Sequence, residues 1–333
     1  MSRAARRRQS HGLHIFLTVI LVILTACVVV KAFFLKAPEQ KAAELPASQP
    51  AEEENSPSDE EQAAQEALRS HLERKGGFYT ILVSGVDDGN GGSDTNILVA
   101  VDTVNGYVYG VSIPRDSKAI IDGKAHKINY AYNKGGISLL ADTVSEQLGV
   151  PVDYTVCVDL KGFTALVDAI GGVDFEVPIN MDYDDPIQGL SIHFKKGMQH
   201  LSGADALRVV RFRHNNDGTG YGSEDLGRMQ TQQKFLKAVA KKMLSFENLI
   251  SNPRKYAEIF GQYVDTDLSV TDLAWFGMQV LGMGVDKIDF STLPNEWKYP
   301  YIYLDPDETL ALVNTYLNPY VEDRTAEDLN LPG

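Results

Sequence analysis

Between Tyr79 and Asp116 lie three apolar runs of strand length, and charged or glycine-rich residues bound each run without interrupting it. The first, Tyr79-Thr80-Ile81-Leu82-Val83-Ser84-Gly85-Val86, leads to Asp87. The second follows Ser93-Asp94-Thr95 and ends at Asp102, and the third closes with Ser112-Ile113-Pro114-Arg115-Asp116. Charge therefore collects at strand ends and not on strand faces. Ligands of open α/β sheets bind beyond the carboxyl ends of the strands. Asp87, Asp94 and Arg115, placed at or just past such ends, are read as the floor of a site. The competing reading is that the Asp-Gly and Asn-Gly pairs here are turn chemistry alone.

The rest of the chain predicts an α/β domain. Strands are expected at Thr80–Ser84, Asn96–Asp102 and Tyr107–Ile113, the last two joined at Asn105-Gly106, a strong hairpin signal. Lys127-Ile128-Asn129 leads to Gly135-Gly136 and a helix over Ile137–Leu148. A strand at Tyr154–Val158, a helix at Lys161–Ile170 stopped by Gly171-Gly172, and a strand at Val173–Val177 follow. Asn180 to Gly203 reads as mixed and loop-like. A short helix over Ala204–Val209 leads into Arg211-Phe212-Arg213, a Gly- and Asn-rich loop spans His214 to Ser223, and a long helix runs from about Glu224 to Leu244. Helices at Pro253–Gly261 and Val270–Gly282, a strand at Lys287–Thr292 and a helix from Pro306, capped by Asp305, complete the reading. Alternating strands and helices with one hairpin give a mixed sheet. There is no internal repeat.

Ahead of this domain the composition changes twice. Basic residues Arg3, Arg6, Arg7 and Arg8 (tail, 1–12) precede an almost wholly apolar stretch from Leu13 to Leu35, about the length of a bilayer-spanning helix. Basic residues before the span put the N-terminus in the cytoplasm and everything after Leu35 outside. A lipoprotein-like box, Leu24-Thr25-Ala26-Cys27, offers the alternative of processing at Cys27, but the apolar run continues beyond it. Residues 36–75, rich in Glu, Ala, Pro, Ser and Gln, read as a spacer, and 76–333 as the extracytoplasmic domain. The net charge of −14 disfavours nucleic acid as a partner, so an anionic ligand needs a local group of arginines. Of the two cysteines, Cys27 falls in the apolar run and Cys157 in a buried strand, which does not suit a disulfide.

Such a group of arginines exists. Arg211 and Arg213, two apart, point the same way if their segment is extended. Asp225, Arg228 and Gln232 are spaced to share one face of the long helix. Exposed arginines are commonly just a solvated face, but the apolar neighbours Leu207, Val209, Val210 and Phe212 and the acidity of the whole chain argue for a clamp. Guanidinium suits bidentate contact with phosphate oxygens, and Asp87 with Asp94 offers hard oxygen ligands of the kind Mg²⁺ takes together with phosphates. A divalent metal and arginines around one pocket are the equipment of phosphoryl transfer. There is no Walker-type phosphate loop and no Gly-x-Ser-x-Gly elbow. The histidines lack metal-ligand spacing; His193 and His200 read as surface residues and Cys157 as core.

In this order the segments ending at Asp87, Ser93-Asp94-Thr95, Ser112–Asp116, Lys127-Ile128-Asn129, Leu166–Val173, Ala206–Arg213 and Asp225-Leu226-Gly227-Arg228 resemble the LytR–CpsA–Psr family of bacterial cell-envelope proteins. The resemblance covers about residues 78 to 245. It implies an α/β/α sandwich around a central mixed sheet, with an apolar tunnel for a lipid chain. It also implies a Mg²⁺-dependent phosphotransferase that moves a glycopolymer from a polyprenyl-pyrophosphate carrier to a peptidoglycan hydroxyl outside the membrane. By motif, Asp87 and Asp94 would hold the metal, Arg115, Arg211 and Arg213 would bind the pyrophosphate, and Arg228 and Gln232 would lie nearby. Asp225 would either receive the acceptor's proton or serve as an arginine counter-ion. Two departures stand out. Gly91-Gly92 replaces an arginine often found before Ser-Asp-Thr, with Lys127 as a candidate substitute, and Thr231-Gln232 stands where Arg-Gln is common. A hydrolase of the same lipid pyrophosphate and a non-catalytic polyprenyl-lipid scaffold are the alternatives.

Overall fold

The computed structural model describes residues 36–40, 72–86, 92–187, 189–222, 224–243 and 253–333; for 224–226, 229, 253–257 and 285 the backbone alone is described. The expected tail, the anchor at 13–35, most of the spacer and Asp87 lie outside these residues. Among the described residues no helix is long and apolar enough to cross a membrane. The described chain divides into two compact units, one of 36–39 with Leu268–Gln279 and the other holding the remainder. In the first, Ser269 and Asp272 cap each other at the start of a helix through Ser269 N to Asp272 Oδ2 (2.9 Å) and Asp272 N to Ser269 Oγ (3.1 Å).

The second unit is built on a six-stranded sheet whose first three strands are those expected: β1 (Phe78–Val86), β2 (Ser93–Asp102) and β3 (Tyr107–Ile113). The β2–β3 connection is a hairpin, but of four residues. The Asp102 carboxylate accepts from the Val104 and Asn105 amides at 2.9 and 2.7 Å, and Gly106, at φ +71°, returns the chain. A short hairpin, β4 (Lys118–Ile121) with β5 (Lys124–Lys127), precedes helix α1 (Asn129–Leu148), which is broken at Gly135 and Gly136. Next come β6 (Tyr154–Asp159), helix α2 (Leu160–Ala169) and β7 (Val173–Val177). β6 is parallel to β1, while β1–β2 and β2–β3 are antiparallel. With β11 (Val264–Thr266) on one edge and β12 (Ile288–Thr292) on the other, the order is β11-β6-β1-β2-β3-β12, a mixed sheet.

The stretch from Asn180 to Gly203, expected to be loop-like, instead holds three strands: β8 (Met181–Asp185), β9 (Leu190–Phe194) and β10 (Gly197–Leu201). Their alternation is present in the sequence, with Met181 and Ile192 buried and Asp182 and His193 outward, but aspartates and histidines mask it. Helices α3 (Gly203–Arg211), α4 (Glu224–Met243) and α5 (Pro253–Tyr263) follow. Hairpin β13 (Asn295–Lys298) and β14 (Tyr301–Leu304) precedes α7 (Pro306–Leu312), where Asp305 accepts from Glu308 N at 2.9 Å as the capping pattern predicts; helix α6 spans Val270–Met283.

Two apolar clusters carry the packing. In one, Leu140, Val144 and Leu148 of α1 lie against Leu82, Leu98 and Val111 of the sheet. In the other, Val209 of α3 and Phe235 of α4 meet Phe175, Met181 and Ile192 of β7, β8 and β9. Phe212, fully buried here, pins the end of α3. Cys157 is buried beside the Tyr132 hydroxyl, which lies 3.5 Å from its sulfur; burial raises the thiol's pKa.

Residues ahead of β1 are tied into this unit. The Arg74 guanidinium donates to both oxygens of Asp153 at 2.7 and 2.8 Å, and Asp153, 0% exposed, also accepts from Thr80 N at 2.9 Å. Removing the carboxylate strands a buried cation, which costs roughly 3–5 kcal/mol. Asp153→Ala therefore lowers the unfolding midpoint substantially, and an unshifted denaturation curve would show that the pair contributes nothing.

Candidate active site

The strand ends that matter lie together at one end of the sheet. β1, β3 and β6 run the same way, so their carboxyl ends lie together, and β2 starts where they finish. The β1–β2 register shifts where Gly85 faces Thr95 and Val86 faces Ser93, which leaves Asp94 as the extra residue of a bulge. Asp94 is thus the second residue of β2, at its entrance and not at its exit, and it reaches the carboxyl ends because β2 is antiparallel. Arg115 follows β3 in a turn held from several sides: Ser117 N donates to Pro114 O (2.9 Å), Asn129 N to Arg115 O (3.2 Å) and Ile302 N to Asp116 O (2.9 Å). The Arg115 guanidinium pairs with Asp94.

The second group arrives from α3 and α4. Arg211 is the last residue of α3 and so is helical, not extended; Phe212 then turns extended at φ −61°, ψ 135°, and Arg213 follows it. The shared direction expected of the two arginines comes from this helix exit around a buried Phe212, not from strand alternation. Arg228 projects from the first part of α4, and Gln232 one turn on donates to the Val210 carbonyl at 2.9 Å, tying α4 to the end of α3.

These groups share a cavity of about 480 Å³, whose lining includes Asp94, Arg115, Arg211, Arg213, Arg228 and Gln232. The strand-end carboxylate and the distant arginines thus meet, as the two clusters predicted. The lining also includes the apolar Leu160, Leu190, Leu207 and Val210. Lys127 is not in this lining; its ammonium pairs with Asp116 at 3.0 Å. Thr231 is buried, with its hydroxyl on the Gly227 carbonyl (2.9 Å), and does not line the cavity. Asp87 and the Asp225 side chain lie outside the described residues.

Among the lining residues that sequence reasoning passed over are Tyr183 of β8 and His214. The first was hidden in the stretch read as loop. The second directly follows Arg213 and its ring stands edge-on to Tyr183, centroids 5.7 Å apart at 87°. Tyr221 packs over Gly227, where an added Cβ would come within 2.2 Å of it. Burial raises the Tyr221 phenol, and the Thr231 hydroxyl and the Arg228 charge oppose that rise. His193 and His200 are surface residues, paired with Asp182 (2.6 Å) and Asp174 (2.8 Å) outside the cavity.

No group of three or more His, Cys, Asp or Glu able to hold a metal occurs among the described residues. Mg²⁺ does not need one, since it binds through one or two carboxylates and completes its shell with waters and phosphate oxygens. Asp94, which shares the cavity lining with the arginines, fits that donor set.

The sequence profile of the LytR_cpsA_psr family matches residues 42–317. The chain belongs to the LytR–CpsA–Psr family. It is 33% identical over 241 residues to the polyisoprenyl-teichoic acid–peptidoglycan teichoic acid transferase TagV of Bacillus subtilis (strain 168), covering 69% of this chain and 59% of TagV, less than two thirds of that relative's length. To the regulatory protein MsrR of Staphylococcus aureus (strain COL) it is 31% identical over 257 residues, 76% of each chain. The crystal structure of B. subtilis TagV superposes with a TM-score of 0.61 at 30% identity, over 72% of this chain and 96% of that one. TagT bound to LIIa-WTA superposes at 0.55 with 25% identity, over 71% and 88%. This LytR–CpsA–Psr chain thus shares its mixed α/β fold and central mixed sheet with solved members of the family.

Proposed function

We propose that this chain is a phosphotransferase that moves a glycopolymer from a polyprenyl-pyrophosphate carrier to a peptidoglycan hydroxyl. The observation that carries this reading is the shared cavity whose lining brings together Asp94, the four arginines Arg115, Arg211, Arg213 and Arg228, and apolar side chains. Guanidinium forks hold the diphosphate oxygens and stabilise the charge that builds on them as the bridge breaks. Leu160, Leu190, Leu207 and Val210 offer the start of a path for the lipid chain. Gln232, by holding the Val210 carbonyl, fixes the angle at which α3 presents Arg211. Asp94, with Asp87 by family motif, would hold Mg²⁺, which supplies charge neutralisation at the phosphates. The names of relatives, teichoic acid transferases among them, support the same donor and acceptor classes. An α/β/α layering, an anchor at 13–35 with the N-terminus in the cytoplasm, and a catalytic domain outside the membrane complete the proposal.

The test supplies the full chain with a polyprenyl-diphosphate-linked teichoic acid precursor and peptidoglycan, and follows coupled polymer against released phosphate. Coupled polymer is the expected product. Phosphate released without coupling would make the protein a hydrolase, and turnover of neither kind would leave a lipid-binding scaffold.

A further inference from the structure

A transfer to a hydroxyl needs somewhere for the hydroxyl proton to go. Among the described residues lining the cavity, the arginines do not give up protons, Asp94 is engaged by Arg115, and Tyr183 is a phenol. His214 remains, and imidazole is the side chain that both takes and releases a proton in the neutral range.

Its geometry is that of a held base. His214 Nδ1 lies 2.9 Å from the Asn215 carbonyl. A carbonyl oxygen only accepts, so Nδ1 carries the ring proton and Nε2 of the neutral ring carries the lone pair. Asn215 is itself fixed: its Oδ1 accepts from Asp182 N (2.6 Å), its Nδ2 donates to Thr219 Oγ1 (2.9 Å) and its backbone N to Thr219 O (2.7 Å). Thr219 is held in turn by Asp217, whose carboxylate accepts from Thr219 N and Oγ1 at 2.9 and 2.6 Å. A proton acceptor oriented by a third group that is anchored elsewhere is the arrangement that general-base catalysis requires. The charged groups sharing the cavity with the imidazole are Arg211 at the end of α3, Arg213 beside it in the chain, Arg228 of α4, and the Asp94–Arg115 pair at the strand ends; Tyr183 of β8 packs on its ring.

Resting on the transfer reading above, we propose that His214 is the proton acceptor for the attacking hydroxyl. The acceptor oxygen forms a bond to the glycan-side phosphorus. The P–O–P bridge breaks, its electron pair leaves with the lipid monophosphate, and the hydroxyl proton passes to His214 Nε2, from which water removes it.

The experiment compares wild type, His214→Ala, His214→Asn and Asp225→Asn as full chains, recording kcat and donor KM for coupled transfer across a range of pH. Asparagine keeps an N–H where Nδ1 stands and lacks the base. Both His214 variants lose about 10²-fold or more in kcat, keep donor KM within a few-fold, and lose the fall in rate on the acid side. Wild-type kcat and an intact acid limb in His214→Asn would overturn the proposal and leave the ring as a turn-holding donor. So would loss of that limb in Asp225→Asn alone. Nitrogen-15 spectra of the His214 ring, read with inorganic pyrophosphate present, supply a measure independent of turnover: a proton on Nδ1 and a bare Nε2 support the assignment, and the opposite tautomer overturns it. A wild type without any transfer removes the underlying reading and the proposal with it, whereas active wild type with unchanged variants overturns the proposal alone.

Discussion

Alanine at Arg211 or Arg213 lowers kcat/KM for transfer by about 10³-fold or more, the scale on which arginines act at a phosphoryl group in flight. Both side chains are exposed, and the buried Phe212 between them anchors the segment, so the unfolding temperature stays where it was. Lysine does not restore the rate, because a point charge does not reproduce the planar fork. Arg208 of the same helix is the control. It pairs with Asp205 at 2.8 Å and does not line the cavity, so Arg208→Ala transfers normally. Equal activity of Arg211→Ala and Arg208→Ala would remove the arginines from the chemistry and return them to an ordinary solvated surface.

Chelation produces the second large effect. With a divalent cation supplying several kcal/mol of charge stabilisation, EDTA lowers transfer by at least about 10²-fold, and added Mg²⁺ restores it. Asp94→Ala shows the same loss with no recovery on adding metal. The Arg115–Asp94 ion pair adds a binding readout that needs no turnover. A cation arriving at Asp94 displaces a guanidinium, so Arg115→Ala binds Mg²⁺ more tightly than wild type in a calorimetric titration. Full wild-type activity in excess EDTA would sink the metal, and Asp94 would then be the counter-ion of Arg115 and nothing more.

The strands at the centre of the sheet were legible because apolar runs bounded by Asp, Gly and Asn carry their own punctuation. The same holds for α7, where Asp305 and Pro306 write the cap directly into the chain. The β8–β10 strands were not legible. Their outward positions hold Asp182, Asp184 and His193, which pair across strands, and a charged face of that kind reads locally as loop. With them went Tyr183 and Leu190, two walls of the cavity. Local spacing groups Arg211 with Arg213 but does not reveal that a helix ends between them.

By itself the sequence determined which chemistry the chain could offer: carboxylates at strand ends, arginines on and before a helix, and the hydroxyl-free apolar neighbours beside them. These are properties of residue type and short spacing. Only the tertiary structure decided which of these groups meet. The antiparallel course of β2 carries Asp94 to the carboxyl ends of its neighbours, and the packing of α3 and α4 through Phe212 and Phe235 brings Arg211, Arg213 and Arg228 into the same cavity. It also diverted Lys127 to Asp116 and brought in His214. Such choices depend on contacts between residues far apart in the chain, which no local pattern encodes.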